Sequence, residues 1–271
     1  MSAPLIVASD LDGTLLRSDG SVSARTRRAL ADVERAGIEV VFVTARPPRW
    51  MDEVAHLVGA HGIALCGNGA FVYDVRSRRV LADHGIDDDL VTTLVTELRD
   101  RVPEVRFAAE RRTGAYAEPG FPEQPPPDAR ASEVAFGAIE DRDEIPIGKL
   151  LAIAPGLVPE QFLALVDSIV GGRAHVAYSG ARGLAEINAL GVTKAAALAA
   201  WVDRLGATPS QVWAFGDMPN DLPMLSWAGR SIAVANAHPE VLAEVDQVCP
   251  ANDADGVAQT LEALLSELLP R

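Results

Sequence analysis

Two cysteines, two lysines and no long apolar run: these scarcities narrow the chain before any motif is read. Cys66 and Cys249 stand far apart, which argues against a disulfide framework or a thiolate zinc site and leaves both as small buried residues. The five histidines, at 56, 61, 84, 175 and 238, lack metal-ligand spacing, so any metal would be held by oxygen. No uninterrupted apolar stretch could span a bilayer, and the first residues lack the basic start and apolar middle of a signal peptide. A cytoplasmic location is expected. Positive charge is also short. The formal net charge of -14 argues against broad binding to nucleic acid or to an anionic membrane, but allows a small anion in a local positive pocket. Of 24 basic residues only Lys149 and Lys194 are lysine. Either a compact ammonium is needed at those two places, or genome composition favours arginine elsewhere.

What is present reads as an α/β protein of 271 residues with room for a core and an inserted domain. A strand ending at Ser9, a helix over 23–36, a strand over 38–43, a helix over 49–59 and a strand over 63–66 alternate. That order predicts a parallel sheet with right-handed crossovers. Near 82–89 the pattern changes. A helix (90–101), a strand (105–109), a Pro-rich loop (118–128), a strand (149–154), a helix (159–170) and a strand (174–179) follow, as expected of a separate α+β unit. Alternation resumes with a helix over 194–205, strands at 212–216, 231–235 and 246–248, and a terminal helix over 261–269. The expected organisation is therefore a Rossmann-like core from 1–83 and 186–271, with helices on both sheet faces, and an inserted α+β cap at 84–185.

The chemistry starts at Asp10-Leu11-Asp12-Gly13-Thr14-Leu15-Leu16, directly after an apolar strand. Positions i and i+2 share a strand face, so Asp10 and Asp12 would point the same way. One such carboxylate can attack phosphorus while the other moves a proton. A calcium loop starting at Asp10 would need a glutamate that is absent. Ligands of open parallel sheets bind at the carboxyl ends of strands, where Asp10, Thr44 and Asp217 all fall. Thr44-Ala45-Arg46 offers a hydroxyl and backbone N–H groups to a phosphoryl oxygen, or a helix cap. Lys194 stands at a helix N-terminus, which favours anions. Asp217 and Asp221, four apart, can converge on one hard cation, and Mg²⁺ fits best.

Together with Asn68-Gly69-Ala70, Gly191-Val192-Thr193-Lys194 and Gly216-Asp217-Met218-Pro219-Asn220-Asp221, these motifs resemble the haloacid dehalogenase superfamily, and within it the Cof-type sugar phosphatases. The resemblance implies a phosphatase acting on a small phosphorylated metabolite. It makes Asp10 the nucleophile and Asp12 the acid and base. It implies Mg²⁺ held by Asp10, the Asp12 backbone carbonyl and Asp217, with Asp221 behind them, and phosphoryl contacts from Thr44, Ala45, Lys194 and Asn220. Ala45 departs from the family's usual Gly. Candidates for contacting the leaving group are Arg46, Arg111, Arg112, Tyr116, Phe121 and Arg182. The partner is then a small molecule, with no nucleic acid or membrane, and the chain a monomer or homodimer. Two alternatives remain: a phosphomutase, which shares the aspartyl chemistry, and a phospho-receiver, which needs neither Asp12 nor a large insertion.

Overall fold

The computed structural model describes residues 4–55, 62–122, 134–141, 145–178 and 183–268. The chain begins β1 (Ile6–Ser9), α1 (Ala24–Arg35), β2 (Glu39–Val43), α2 (Met51–Ala55), β3 (Ile63–Cys66), β4 (Phe71–Asp74) and β5 (Arg79–Asp83). Next come α3 (Asp88–Arg101), β6 (Arg106–Arg111), β7 (Gly114–Ala117), β8 (Val134–Phe136), β9 (Ile147–Ile153), α4 (Pro159–Val170), β10 (Ala174–Ala177) and β11 (Leu184–Ala189). It closes with α5 (Lys194–Arg204), β12 (Val212–Gly216), α6 (Leu222–Trp227), β13 (Arg230–Val234), α7 (Pro239–Glu244), β14 (Gln247–Cys249) and α8 (Gly256–Leu268).

Eight strands form the first sheet, ordered β14-β13-β12-β1-β2-β3-β4-β5. β12, β1 and β2 are parallel neighbours, with Ser9 level with Phe215 on one side and Phe42 on the other. Every residue of β1 is buried, as a continuous apolar run requires when both faces of a parallel sheet are covered. α1 shows how the flanking helices are specified. The Ser23 side chain accepts the Thr26 N–H at 3.0 Å, and Thr26, Ala29, Leu30 and Val33 form the buried stripe. Gly37, at φ +81°, ends it in a conformation suited to glycine.

The sheet is parallel except at one edge. β4 and β5 form an antiparallel hairpin on β3 that the alternating pattern did not suggest. A Pro48–Trp50 3₁₀ turn precedes α2, so helix begins later than expected, and residues 56–61 lie outside the described ones. α8 begins at Gly256, ahead of the expected Leu261, because Val257, Ala258, Leu261 and Leu264 make one buried stripe. Only glycine fits that start: a Cβ there would lie 1.7 Å from the Pro250 carbonyl oxygen.

The second sheet has the order β10-β11-β9-β6-β7-β8 and is antiparallel except between β7 and β8. β7 and β8 are short, and β11 carries Ala185, Glu186 and Asn188 within its run, so their patterns carry little strand signal. β11 crosses residue 185 and belongs wholly to this sheet through Ala189. One face, including Phe107, Leu150, Ala152 and Ile187, shares a core with Val91 and Leu94 of α3 and Phe162 and Val166 of α4. The alternate residues of the same strands turn toward the carboxyl edge of the first sheet. Among the described residues no helix is long and apolar enough to cross a membrane.

Candidate active site

Asp10 follows β1 at the centre of the first sheet, its N–H donating to the Phe215 carbonyl at 3.0 Å. The Lys194 ammonium, on the first turn of α5, lies 2.5 Å from Asp10 Oδ1 and 2.6 Å from Asp221 Oδ1. All three groups are buried. Burial opposes the charge on Lys194, but Asp10 and Asp221 on either side raise its pKa and hold it as ammonium. Burial also pushes the Asp10 carboxyl well above the usual carboxylate range. Lys194 pulls it down, while the negative charges of Asp221, Asp217 and Asp12 push it up. Thr193 caps α5 by accepting the Ala196 N–H at 3.1 Å. The loop after β3 closes against that cap: a Cβ on Gly69 would stand 2.7 Å from the Thr193 carbonyl oxygen.

Asp217 follows β12, one residue beyond the position level with Asp10. Its Oδ1 accepts the Thr14 hydroxyl at 2.8 Å, and its pKa is raised to about 6 by burial first and Asp221 second. Gly13 lets the Asp12 turn pass this carboxylate. A Cβ there would lie 2.4 Å from Asp217 Oδ2, and the backbone has φ +78°. Asp221 Oδ2 accepts the N–H groups of Asp217 and Met218, each at 3.0 Å, while its Oδ1 takes Lys194. Both Asp221 oxygens are thus engaged.

Ligand oxygens of Asp10, Asp217 and Asp221 lie within 4.8 Å of one another. Three buried carboxylates against one ammonium leave excess negative charge, and the raised pKa values of Asp10 and Asp217 are its signature. A divalent cation fits that donor set and charge. Lys194 and Thr14 engage one oxygen each of Asp10 and Asp217 and both Asp221 oxygens are taken, so a cation there would be held through the second oxygens of Asp10 and Asp217.

Asp12 points beside Asp10 and meets Arg46: Nε lies 2.8 Å from Oδ2 and Nη2 2.6 Å from Oδ1. Arg46 is 3% exposed and the Asp12 side chain 53%, so a buried arginine holds an acid that faces open space. Thr44 is fully buried, and its Oγ1 accepts the Arg46 N–H at 3.0 Å. Ala45 lines the cavity at Asp10 and avoids the left-handed region, so alanine is accommodated without strain. Asn220 lines the same cavity and carries a buried Oδ1 with no hydrogen-bond partner.

The cavity, of about 280 Å³, lies between the carboxyl edge of the first sheet and the inner face of the second. Of the candidates for the leaving group, Arg46 and Phe121 line it. Arg111 and Tyr116 do not. Strand pleating puts them on the opposite face from Glu110 and Ala115, where the Arg111 guanidinium stacks on the Tyr116 ring at 5.2 Å. Arg112 is exposed and pairs with Asp83 at 3.6 Å, away from the site. Arg182 lies outside the described residues.

Four charged side chains absent from the sequence-level candidates join the two sheets here. Arg49 pairs with Glu110 through two hydrogen bonds, of 2.9 and 2.8 Å. Lys149 donates to the Ala45 carbonyl at 2.7 Å and to Glu186 at 2.9 Å, and Asn68 donates to the same Glu186 oxygen at 2.8 Å. Lysine scarcity was the available signal for Lys149.

The model of the haloacid dehalogenase-like hydrolase family matches residues 7–261. A phosphoglycolate phosphatase of Methanopyrus kandleri is 28% identical over 97% of this chain and 98% of its own length. An HMP-PP phosphatase of Yersinia pestis is 28% identical over 96% of this chain and 95% of its own. Among solved structures, a Streptococcus mutans protein superposes with a TM-score of 0.82 at 23% identity, covering 98% of this chain and 100% of that one.

Proposed function

Because the chain belongs to the haloacid dehalogenase-like hydrolase family, we propose that it hydrolyses a small phosphorylated metabolite through a phosphoryl group carried on Asp10. The observation that carries this reading is the Lys194 ammonium, which anchors Asp10 Oδ1 at the sheet's carboxyl edge and leaves the other oxygen beside the cavity. The phosphatase names of relatives matched over nearly their full lengths support the same reaction class.

In the first half-reaction an Asp10 oxygen attacks phosphorus, the ester P–O bond breaks, and the leaving oxygen takes the proton of the Asp12 carboxyl. In the second, Asp12, now a carboxylate, takes a proton from water, whose oxygen attacks the same phosphorus. Inorganic phosphate leaves and Asp10 is restored. Thr44, the Ala45 N–H, Lys194 and Asn220 hold the phosphoryl oxygens, and the orphaned Asn220 oxygen supports an amide placed for a ligand. Arg46 fixes the direction of Asp12. Mg²⁺ bound by Asp10 and Asp217 would supply positive charge that neutralises the phosphoryl oxygens.

The test is phosphate release from a panel of phosphorylated metabolites with Mg²⁺ and with chelator, beside the Asp10→Asn protein. Metal-dependent release that disappears in the variant is expected. A folded, metal-loaded protein that turns over no ester would overturn the proposal, and isomerised phosphate without free phosphate would replace it with a mutase.

A further inference from the structure

The inner face of the second sheet can be followed row by row from its register. Ala117 faces Phe136 on one side and Ala108 on the other, and Ala108 faces Leu151, which faces Glu186. The adjacent row runs Val134, Ala115, Glu110, Lys149, Asn188. On these two rows the charged residues are Glu110, Lys149 and Glu186, each already engaged, and in the next row Arg106, opposite Ile153, turns its guanidinium to the Glu104 and Val105 carbonyls. Both Glu110 oxygens bind Arg49, while Lys149 and Glu186 bind each other, Ala45 and Asn68. Asn188 donates to the Gly67 and Gly148 carbonyls at 2.9 and 3.0 Å.

The rest of the wall, opposite Asp10 and Asp12, is apolar. It is a floor of small alanines with Phe121 and Leu184 beside it and Phe136, 67% exposed, at the rim. Alanines leave room at the cavity where longer side chains would fill it, and Phe121, Val134 and Leu184 pack against Ala108, Ala117 and Leu151 along its edge. The core-side wall adds Pro47 and Trp50.

We infer that this wall seats the leaving group, and that the substrate is a phosphate ester of an apolar ring alcohol in preference to a polyhydroxylated sugar. The inference rests on the phosphatase reading above and narrows its substrate class. A sugar seated there would bring several hydroxyls out of water against methyl groups and aromatic carbon, with the nearby charges already paired. A ring of the same size without hydroxyls loses nothing by the transfer and gains contact with the alanine floor.

Two esters isolate this difference. Cyclohexylmethyl phosphate and glucose 6-phosphate are both primary esters on a six-membered ring, and they differ chiefly in hydroxyls. With the Mg²⁺-loaded full chain, kcat/KM should favour cyclohexylmethyl phosphate by about tenfold or more, the scale on which an apolar pocket rejects added hydroxyl groups. The Ala117→Asn protein, its fold checked by circular dichroism, should narrow that ratio. Acetyl phosphate, which has little leaving group to seat, reports on the phosphoryl chemistry alone. If it is hydrolysed in an Asp10-dependent way but glucose 6-phosphate matches or exceeds the apolar ester, or neither ring ester is used, the inference fails and the phosphatase reading stands. If acetyl phosphate is not hydrolysed either, both fail.

Discussion

Arg46 grips the Asp12 carboxylate at two points, 2.8 and 2.6 Å, from a position the protein keeps almost wholly out of solvent. A guanidinium matched to both carboxylate oxygens fixes direction as well as distance, which a lysine cannot reproduce. The Arg46 N–H is in turn tied to Thr44, and the Arg46 carbonyl to Gly67. The aim of Asp12 is thus set by the turns after two neighbouring strands.

Replacing Arg46 by Lys or Gln should lower kcat by about tenfold to a hundredfold, at or below the lower end of the ~10²–10⁴-fold that a positioned acid-base group contributes, because Asp12 itself is kept. Single-turnover rates check this, and the loss should appear in both formation and breakdown of the phosphoenzyme. Wild-type rates in Arg46→Gln would remove the arginine from any positioning role.

Asp10→Asn should abolish turnover and leave the fold largely intact, since it removes the nucleophile. Asp12→Asn should slow both half-reactions and let a phosphorylated protein accumulate. Intact-mass measurement after mixing with an activated ester reports this directly. A mass shift that persists in Asp10→Asn would place the covalent group elsewhere.

The Arg49–Glu110 pair is buried on both sides, at 10% and 3% side-chain exposure, and joins the sheets. Removing one partner leaves a charge without its counter-ion, so Arg49→Met or Glu110→Leu should each cost about 3–5 kcal/mol. The combined Arg49→Met, Glu110→Leu protein should be less destabilised than either single variant. Denaturant titrations of the three proteins measure the difference, and additive losses would show that the pair is uncoupled.

pH and metal should act on stability together. The folded-state pKa of Asp217 is raised to about 6 by burial and by Asp221, above the usual value of 3.8. A raised carboxyl contributes stability that is full below the unfolded value and is lost as pH rises through the folded one. Asp10 shifts in the same direction. The chelated protein should therefore show a falling Tm between about pH 4 and pH 6–7 from these groups. Asp217→Asn should flatten that fall. Mg²⁺, which binds the deprotonated carboxylates, should raise Tm more at pH 7.5 than at pH 5. An equal rise at both pH values would argue against a site built on these aspartates.

The family was readable from local pattern, and so was the gathering of Asp10, Lys194, Asp217 and Asp221 at one place, because each sits at a fixed offset from the end of an apolar strand or the start of a helix. Asp10 after β1, Thr44 after β2 and Asp217 after β12 needed only the rule that parallel strands deliver their carboxyl ends to one edge. The spacing of Asp217 and Asp221 suggested two ligands and the resemblance put Asp221 behind them, while the folded turn commits its oxygens to Lys194 and to two backbone N–H groups.

The wall across from that edge was not readable. Glu110, Lys149 and Glu186 lie on three strands that meet through antiparallel register, and their partners Arg49, Ala45 and Asn68 come from the turns after β2 and β3 of the other sheet. Arg111 and Tyr116 were candidates in sequence and Glu110 was not, yet pleating puts Glu110 on the cavity face and the other two on the opposite one. A residue's chemistry is written in its identity. Which face of a strand it occupies, and which segment far along the chain stands opposite, is decided only when the sheets pair and pack, since a one-residue change of register reverses every side chain.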